Sequence, residues 1–200
     1  MKCAIITGPY NFDLLDIFVP NNQFIIGADI GAYILAENKI SFDLAIGDFD
    51  SAKEDQIQVI KQFAKEVVKF PIMKNYTDTF LAVEEAKKRG YHDIEIYGGI
   101  GNRIDHTYAN ILLTTNDNIK IISTNEKLYT LHPGVYNISN TYRYISFFAL
   151  DNVEQLSLSG FEYELFNYNL STNDPLCISN MGSGTITFTK GKLLVIHQNE

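Results

Sequence analysis

The chain has 200 residues, and its 16 Lys and Arg against 24 Asp and Glu give a formal net charge of −8 at pH 7. This balance excludes a protein that binds nucleic acid through its phosphate backbone, because such proteins carry clustered basic side chains. A hydrophobic fraction of 46% excludes disordered and collagen-like chains and predicts one large or two small globular domains. No apolar run approaches the roughly 18 residues of a membrane span, and two cysteines are too few for a disulfide framework, so we expect a cytoplasmic protein without a membrane partner.

Short apolar runs alternate with helical patterns over residues 1–125. The predicted strands are residues 2–7, 23–28, 44–47, 66–70, 93–97 and 119–123, and the predicted helices are residues 31–38, 52–64, 77–89 and 105–115. Ser51, with Glu54 three residues later, predicts a capping box at the start of the second helix. This alternation is typical of an α/β domain with a mostly parallel sheet flanked by helices.

The pattern changes after residue 125 to short alternating runs separated by turn residues. The predicted strands are residues 127–131, 134–138, 144–149, 154–158, 161–165, 177–179, 185–189 and 192–197. Lys190-Gly191 lies between the last two runs and predicts a hairpin. We therefore expect a second domain over residues 126–200, an all-β sandwich.

An acidic motif, Gly-Asp-Phe-Asp-Ser at residues 47–51, follows an apolar strand and precedes a helix. In extended backbone, residues i and i+2 point the same way, so we expect Asp48 and Asp50 to project together while Phe49 turns into the protein. Adjacent carboxylates repel each other, and a hard divalent cation such as Mg²⁺ would neutralise them. The alternative interpretation is a solvated acidic turn in which Asp50 or Ser51 caps the helix.

A second polar cluster, residues 74–78, lies between the fourth predicted strand and the third predicted helix. Its Asp78 is a candidate for a further metal ligand and its Lys74 for a phosphate contact. The helix dipole alone also explains an aspartate in the first turn of a helix.

A third cluster follows the fifth predicted strand. Three glycines within residues 98–101 allow backbone amides to approach a phosphate, and Arg103 suits a bidentate phosphate contact. A turn in which Arg103 pairs with Asp105 is the alternative interpretation. His106 and Asn110 are four residues apart and are expected to share a helix face.

A fourth cluster, residues 27–32, ends the second predicted strand and opens a helix. Asp29 within it either belongs to a site or caps that helix. All four clusters lie where a strand of one sheet gives way to a helix or loop. Because open α/β sheets bind ligands at the carboxyl ends of their strands, this shared position predicts a single site.

Together, these motifs resemble those of the thiamine pyrophosphokinase family, and the resemblance spans nearly the whole chain. It rests on the order of the matching residues, which are Gly27-Ala28-Asp29 with Gly31-Ala32, Gly47-Asp48-Phe49-Asp50-Ser51, Lys74 with Thr77-Asp78, Gly101 with Arg103, Asp105-His106 and Asn110, and Ser179-Asn180 followed by Gly184.

The resemblance implies a catalytic domain over residues 1–125 and a thiamine-binding and dimerisation domain over residues 126–200. It implies a Mg²⁺-dependent transfer of the diphosphoryl group of ATP to the hydroxyl of thiamine, which gives thiamine diphosphate and AMP. It also implies a homodimer with active sites between the subunits.

Roles for individual residues follow from the same resemblance. Asp48, Asp50 and Asp78 would hold Mg²⁺ and, with Asp105, would form the catalytic set, and either Asp50 or Asp78 would orient or deprotonate the thiamine hydroxyl. The expected ATP contacts are Asp29, Lys74, Thr77, Arg103, His106 and Asn110, and the expected thiamine contacts are Ser179 and Asn180.

Other functions stay open on the sequence alone. An apolar strand followed by Asp48-x-Asp50-Ser51 resembles the nucleophile motif of haloacid dehalogenase phosphatases, although that motif normally follows the first strand and here follows the third. A sugar-nucleotide glycosyltransferase also uses paired aspartates, but the short chain counts against it. A non-catalytic nucleotide or thiamine sensor would retain the same binding residues.

Overall fold

A computed structural model describes residues 1–8, 14–50, 52–70, 76–115 and 118–199. The chain divides into two compact units, Met1–Thr124 and Asn125–Glu200. No helix within the described ranges is long and apolar enough to cross a membrane.

Unit 1 is an α/β domain in which strands and helices alternate along the chain. Its elements are β1 (Lys2–Ile6), α1 (Leu14–Ile17), β2 (Phe24–Ala28), α2 (Ile30–Glu37), β3 (Phe42–Gly47), α3 (Glu54–Phe63), β4 (Ala64–Lys69), α4 (Asp78–Lys88), β5 (Asp93–Tyr97), α5 (Ile104–Leu113) and β6 (Asn118–Ile122). The strands are parallel and follow the order β4-β3-β2-β1-β5-β6. The predicted fold class is therefore confirmed for this part of the chain.

Both faces of the parallel sheet are buried at its central strand, β1. Ile6 packs in one cluster with Leu35 of α2 and Ile60 of α3. Ile5 points to the opposite face and is buried as well, and α4 packs against β1, β2 and β3. The strand order reverses between β1 and β5, and the crevice at such a switch point is where open α/β sheets bind ligands.

Two local predictions for unit 1 need correction. The second predicted helix begins at Glu54, two residues later than expected, because the backbone N–H of Lys53 donates to the side chain of Gln56 at 2.9 Å. The Ser51–Glu54 capping box is therefore wrong, and Ser51 itself lies outside the described residues. The short helix α1 has no counterpart in the sequence prediction.

Unit 2 is a sandwich of antiparallel sheets, as predicted. Its strands are β7 (Glu126–Leu131), β8 (Gly134–Ile138), β9 (Tyr144–Ala149), β10 (Val153–Ser159), β11 (Leu165–Leu170), β12 (Gly184–Phe188) and β13 (Leu193–Gln198). They pair in the orders β7-β13-β9 and β11-β10-β12-β8. Phe147 and Val195 of the first group share one buried cluster with Leu156 and Phe188 of the second.

Two strand predictions and one hairpin prediction in unit 2 are wrong. Residues 161–164 form a turn rather than a strand, because the buried Phe161 packs edge-on against Phe147 with ring centroids 5.5 Å apart. Residues 177–179 form no strand, and the pairing nearby is a single bridge between Ile145 and Asn180. Lys190-Gly191 does not close a hairpin, since β12 and β13 belong to different sheets.

Candidate active site

Asp29 lies in a strained turn between β2 and α2. Its φ of 48° and ψ of −114° place a non-glycine residue in a sparsely populated region of backbone conformation,. The start of α2 lies very close to β1, since a Cβ on Gly31 would be only 1.9 Å from the carbonyl oxygen of Ile6. Asp29 occupies the N-cap position, but among the described residues its carboxylate accepts no capping hydrogen bond. Such strain is concentrated at functional sites, and helix capping does not explain this residue.

The acidic loop after β3 is also a turn with a strained residue. Phe49 has a φ of 52° and is buried in the core, which confirms that it turns into the protein. The expected extended backbone is wrong, because the N–H of Asp50 folds back to donate to Asp48 Oδ1 at 3.2 Å. Asp48 is buried and Asp50 is exposed.

These two turns and the start of α4 bring carboxylates together. Burial raises the pKa of Asp29, and the negative charges of Asp78, Asp48 and Asp50 raise it further. The backbone N–H of Asp29 also donates to the carbonyl oxygen of Ile46 at 2.8 Å, which holds the two acidic turns side by side. Like charges at such spacing oppose ionisation, and a bound cation reverses that effect.

The donor set suits a hard divalent cation. Within the described residues, no three His, Cys, Asp or Glu side chains are arranged to hold an ion together. Mg²⁺ usually takes one or two carboxylates and fills its remaining positions with water and substrate phosphates. The acidic cluster of Asp29, Asp48, Asp50 and Asp78 therefore suits a metal that takes one or two of these carboxylates and shares its remaining positions with a phosphate ligand.

A cavity of about 510 Å³ opens at the switch point of the sheet. It is lined by residues that follow β1, β2 and β5 and by the first turns of α4 and α5. Of the predicted site residues, those on the cavity wall are Asp29, Thr77, Asp78, Arg103, His106 and Asn110. Lys74 lies outside the described residues.

Side chains of α5 hold the glycine loop that follows β5 in place. Gly98 and Gly99 have φ values of 91° and 78°, which glycine adopts without steric cost,. Asn110, which is buried, donates from Nδ2 to the carbonyl oxygen of Gly99 at 2.8 Å. Thr107 Oγ1 accepts from the N–H of Gly101 at 3.1 Å. Asn110 thus fixes the loop, a role that the sequence did not reveal.

Arg103 and Asp105 form an exposed ion pair. Arg103 Nη2 lies 2.6 Å from Asp105 Oδ2, and Arg103 Nε donates to Oδ1 at 3.2 Å. The guanidinium holds the pKa of Asp105 below its usual range. The pairing of Arg103 with Asp105, which the sequence offered as the alternative interpretation, is therefore present. Arg103 also lines the cavity.

Two threonines on the cavity wall were missed by the sequence analysis. Thr7 follows β1 and Thr79 lies in the first turn of α4, and their hydroxyl oxygens are 2.9 Å apart. Threonine is common at strand ends and helix starts, so residue type gave no signal. The position of Thr7 at the carboxyl end of β1 was the available clue.

Ser179 and Asn180 lie in unit 2, where Asn180 holds a turn together. Asn180 is buried, its Oδ1 accepts from the N–H of Tyr163 at 2.9 Å, and its Nδ2 donates to the Tyr163 carbonyl at 2.8 Å. Ser179 is exposed at a φ of 58°, and its N–H donates to Ser146 Oγ. The backbone of Tyr163 is thereby fixed beside Asn180.

Comparison with known proteins agrees with this geometry. Residues 15–123 match the family model described as thiamin pyrophosphokinase, catalytic domain. Residues 130–193 match the model described as thiamin pyrophosphokinase, vitamin B1 binding domain.

Individual relatives match over almost the full length. Thiamine pyrophosphokinase of Bacillus subtilis (strain 168) is 34% identical over 206 residues, which cover 96% of each chain. The crystal structure of the Bacillus subtilis thiamine pyrophosphokinase gives a TM-score of 0.89 at 31% identity and covers 100% of both chains. That of the Geobacillus thermodenitrificans enzyme gives 0.86 at 29% identity and covers 100% of this chain and 98% of its own. The chain therefore belongs to the thiamin pyrophosphokinase family.

Proposed function

We propose that the chain transfers the diphosphoryl group of ATP to the hydroxyl of thiamine in a Mg²⁺-dependent reaction that gives thiamine diphosphate and AMP. The observation that carries the proposal is the cavity at the switch point, which has carboxylates on one wall and a glycine loop with Arg103 on another. The matched catalytic and vitamin B1 binding domains support the choice of substrates.

We expect the metal to take its carboxylate ligands from Asp48, Asp50 and Asp78. They lie close enough to Asp29 for their charges to raise its pKa. When bound, Mg²⁺ would offset negative charge on the transferred group, which is the main electrostatic demand of phosphoryl transfer. Asp29 lies on the cavity wall beside them and would face the nucleotide.

The nucleotide would be oriented by α5 and the loops before it. Arg103 is at the N-terminus of α5, with His106 on the cavity wall one turn further on. Asp105 is bonded to the guanidinium and would set its direction, so we assign Asp105 a positioning role. Asn110 acts through the glycine loop. Thr77 caps α4 by accepting from the N–H of Phe80, and Lys74 stays a prediction from the sequence.

One aspartate would accept the proton of the thiamine hydroxyl. Asp50 and Asp78 are the candidates from the sequence, and Asp78 is the one on the cavity wall. This position supports Asp78 as the base.

Thiamine would bind at the turn held by Asn180. Ser179 is exposed there, and Tyr163, whose backbone Asn180 holds, is 58% exposed. Glu162 and Glu164 are its neighbours in the sequence and are exposed as well. An aromatic face next to negative charge attracts a cationic ring such as thiazolium.

A homodimer with active sites between subunits is part of this proposal. Ile104, Tyr108 and Leu112 follow each other at intervals of four residues on α5 and are exposed, Ile104 by 78% and Tyr108 by 62%. A solvent-facing helix side is normally polar, so an apolar one supports burial against a second copy. Tyr108→Glu should convert the dimer to a monomer in size-exclusion chromatography with light scattering.

A cytoplasmic location is also part of the proposal. The free thiols of Cys3 and Cys177 support a reducing compartment,.

The test is to incubate the purified protein with thiamine, ATP and Mg²⁺ and to quantify the products. Equal amounts of AMP and thiamine diphosphate are expected, with loss of both after chelation and recovery on adding Mg²⁺. Asp48→Asn and Asp78→Asn should lower turnover at least a hundredfold (about 10² or more per lost charge contact), whereas Asp55→Asn on exposed α3 is the matched control. ADP without AMP, or no product, would contradict the proposal.

Replacing a metal ligand and replacing the base have different effects on Mg·ATP binding. Loss of a ligand should weaken Mg·ATP binding, whereas loss of the base should leave that binding intact and slow turnover only. Comparing Asp50→Asn with Asp78→Asn in both measurements separates the two roles.

A further inference from the structure

We propose that Thr7 and Thr79 act as one paired hydroxyl site that donates a hydrogen bond to a phosphoryl oxygen of the nucleotide. The inference rests on the proposed function in that it takes a phosphate-bearing nucleotide as the cavity's ligand. It adds two residues to the site that belong to none of the motifs recognised in the sequence.

The two threonines are buried and yet face the cavity. Thr7 is 6% exposed and Thr79 is 7% exposed, and both lie on the cavity wall. Thr7 continues the line of β1 at the switch point, while Thr79 is in the first turn of α4. The pair thus lies where the carboxyl end of a central strand meets the N-terminus of a helix.

Counting hydrogens shows that the pair has one donor left over. Two hydroxyls carry two hydrogens, and the 2.9 Å bond between their oxygens uses one of them, whichever threonine donates,. Neither hydroxyl bonds to any further group in the part of the chain that the structure describes. A buried polar hydrogen without an acceptor is unfavourable, so the geometry favours a ligand atom as its partner.

The surroundings favour an anionic oxygen as that partner. Gly99 lies beside the pair, since a Cβ built on it would be 3.6 Å from Thr7 Cγ2, and its loop has the positive φ values of anion-cradling backbone,. The N-terminus of α4 adds a favourable dipole for negative charge next to Thr79. Hydrogen bonds to ionised oxygens are about twice as strong as those between neutral groups.

A purely structural role for the Thr7–Thr79 pair would give a different experimental result from a phosphate contact. If the bond only joins β1 to α4, its removal weakens folding without distinguishing one ligand from another. If the pair contacts phosphate, its removal weakens binding of ATP and leaves binding of adenosine unchanged. Valine keeps the shape of threonine and removes the hydroxyl, and serine keeps the hydroxyl.

The experiment measures the Kd of Mg·ATP and of adenosine by calorimetry without thiamine, for wild type, Thr7→Val, Thr79→Val, Thr79→Ser and the double valine variant. The double valine variant, which removes both hydrogens, should bind ATP about tenfold to a hundredfold more weakly, with adenosine unchanged. The single valine variant that removes the hydroxyl facing the phosphate should show the same loss, whereas the other single variant leaves that donor in place. Thr79→Ser should bind ATP as the wild type does. Thr114→Val, which removes a buried hydroxyl at the end of α5, is the matched control and should change neither Kd.

Equal weakening for adenosine and ATP, or unchanged ATP binding by the folded double valine variant, would overturn the inference. Urea unfolding establishes which variants fold, and where the double variant does not fold, unchanged ATP binding by both single valine variants overturns the inference instead. Failure of the proposed function is a separate result: wild-type protein that makes no AMP and thiamine diphosphate would refute that function. In that case, selective loss of ATP affinity in the valine variants would still support the phosphate site.

Discussion

His197 makes the stability of unit 2 dependent on pH. It is 3% exposed, its Nε2 lies 3.1 Å from the hydroxyl of Tyr129, and its Nδ1 lies 2.8 Å from Asn140 Oδ1. Tyr142 packs against the ring, and Lys127 is the positive charge nearby. Burial, with a smaller effect of Lys127, lowers the pKa of His197 to about 4. The imidazole is therefore neutral in the folded protein at pH values where an exposed histidine is half charged.

The size and sign of the effect follow from linkage. The unfolded chain takes up a proton near pH 6.5, whereas folded His197 resists it until about pH 4. Between these values the unfolded state binds more protons, so the free energy of unfolding rises with pH. The stabilisation that neutral His197 contributes is complete above pH 6.5 and is lost as pH falls towards 4. At 1.36 kcal/mol per pKa unit, the full loss is about 3 kcal/mol.

The assay is urea unfolding at pH values from 4 to 8, followed by tyrosine fluorescence because the chain has no Trp. His197→Gln keeps a neutral polar side chain, so the difference in stability between wild type and variant should shrink by about 3 kcal/mol as pH falls. His132→Gln is the matched control, because His132 is exposed, and it should follow the wild-type curve. Parallel curves for wild type and His197→Gln would refute the reasoning.

Four further predictions concern the site. Gly31→Ala should lower the free energy of unfolding by about 3 kcal/mol in urea titration, because its Cβ would collide with the Ile6 carbonyl,. Phe49→Ala should cost about 3–5 kcal/mol in the same assay and displace the acidic loop. Asn180→Ala should raise KM for thiamine at least tenfold (about 1–3 kcal/mol for buried groups left unpaired) with KM for ATP unchanged. Asp29→Asn should stabilise the ligand-free protein at neutral pH, because the raised pKa of Asp29 shows that its charge is unfavourable in the folded state. In unfolding experiments at different pH values, this gain should vanish below pH 3.8, where Asp29 is protonated in both states,. The same substitution should weaken Mg·ATP binding.

The sequence predicted most of the fold because periodicity reports burial on one or both faces of an element. The strands of unit 1 were found within one or two residues of their ends. Strands buried on both faces, such as β1 and β2, appear as continuous apolar runs,. The errors in unit 2 have a different origin. A turn signal such as Lys190-Gly191 shows that the chain bends but not which strands pair. The apolar side chain of Phe161 fills the core from a turn as well as a strand would.

The motifs of the sequence predicted the site, but they did not predict its side-chain contacts or backbone angles. The order of the acidic and glycine-rich clusters identified the family, and the comparisons confirm that resemblance. The Thr7–Thr79 pair joins residues 72 positions apart, and no local pattern predicts such a contact. Positive φ at Asp29 and Phe49 was equally hidden, because these residue types normally avoid that conformation.

The strain at Asp29 and Phe49 and the repulsion among the carboxylates have a common consequence. Each acidic turn contains a non-glycine residue in a left-handed conformation, and the two turns support each other through the Asp29–Ile46 hydrogen bond. Folding of the core, through buried Phe49 and the close approach of Gly31 to β1, therefore holds the carboxylates in an arrangement that is unfavourable without a cation. Because a bound metal and nucleotide relieve the repulsion only in the folded state, binding and stability are linked. Substitutions that remove a carboxylate from either turn, such as Asp29→Asn, should therefore gain stability in the free protein and lose affinity for the metal–nucleotide complex.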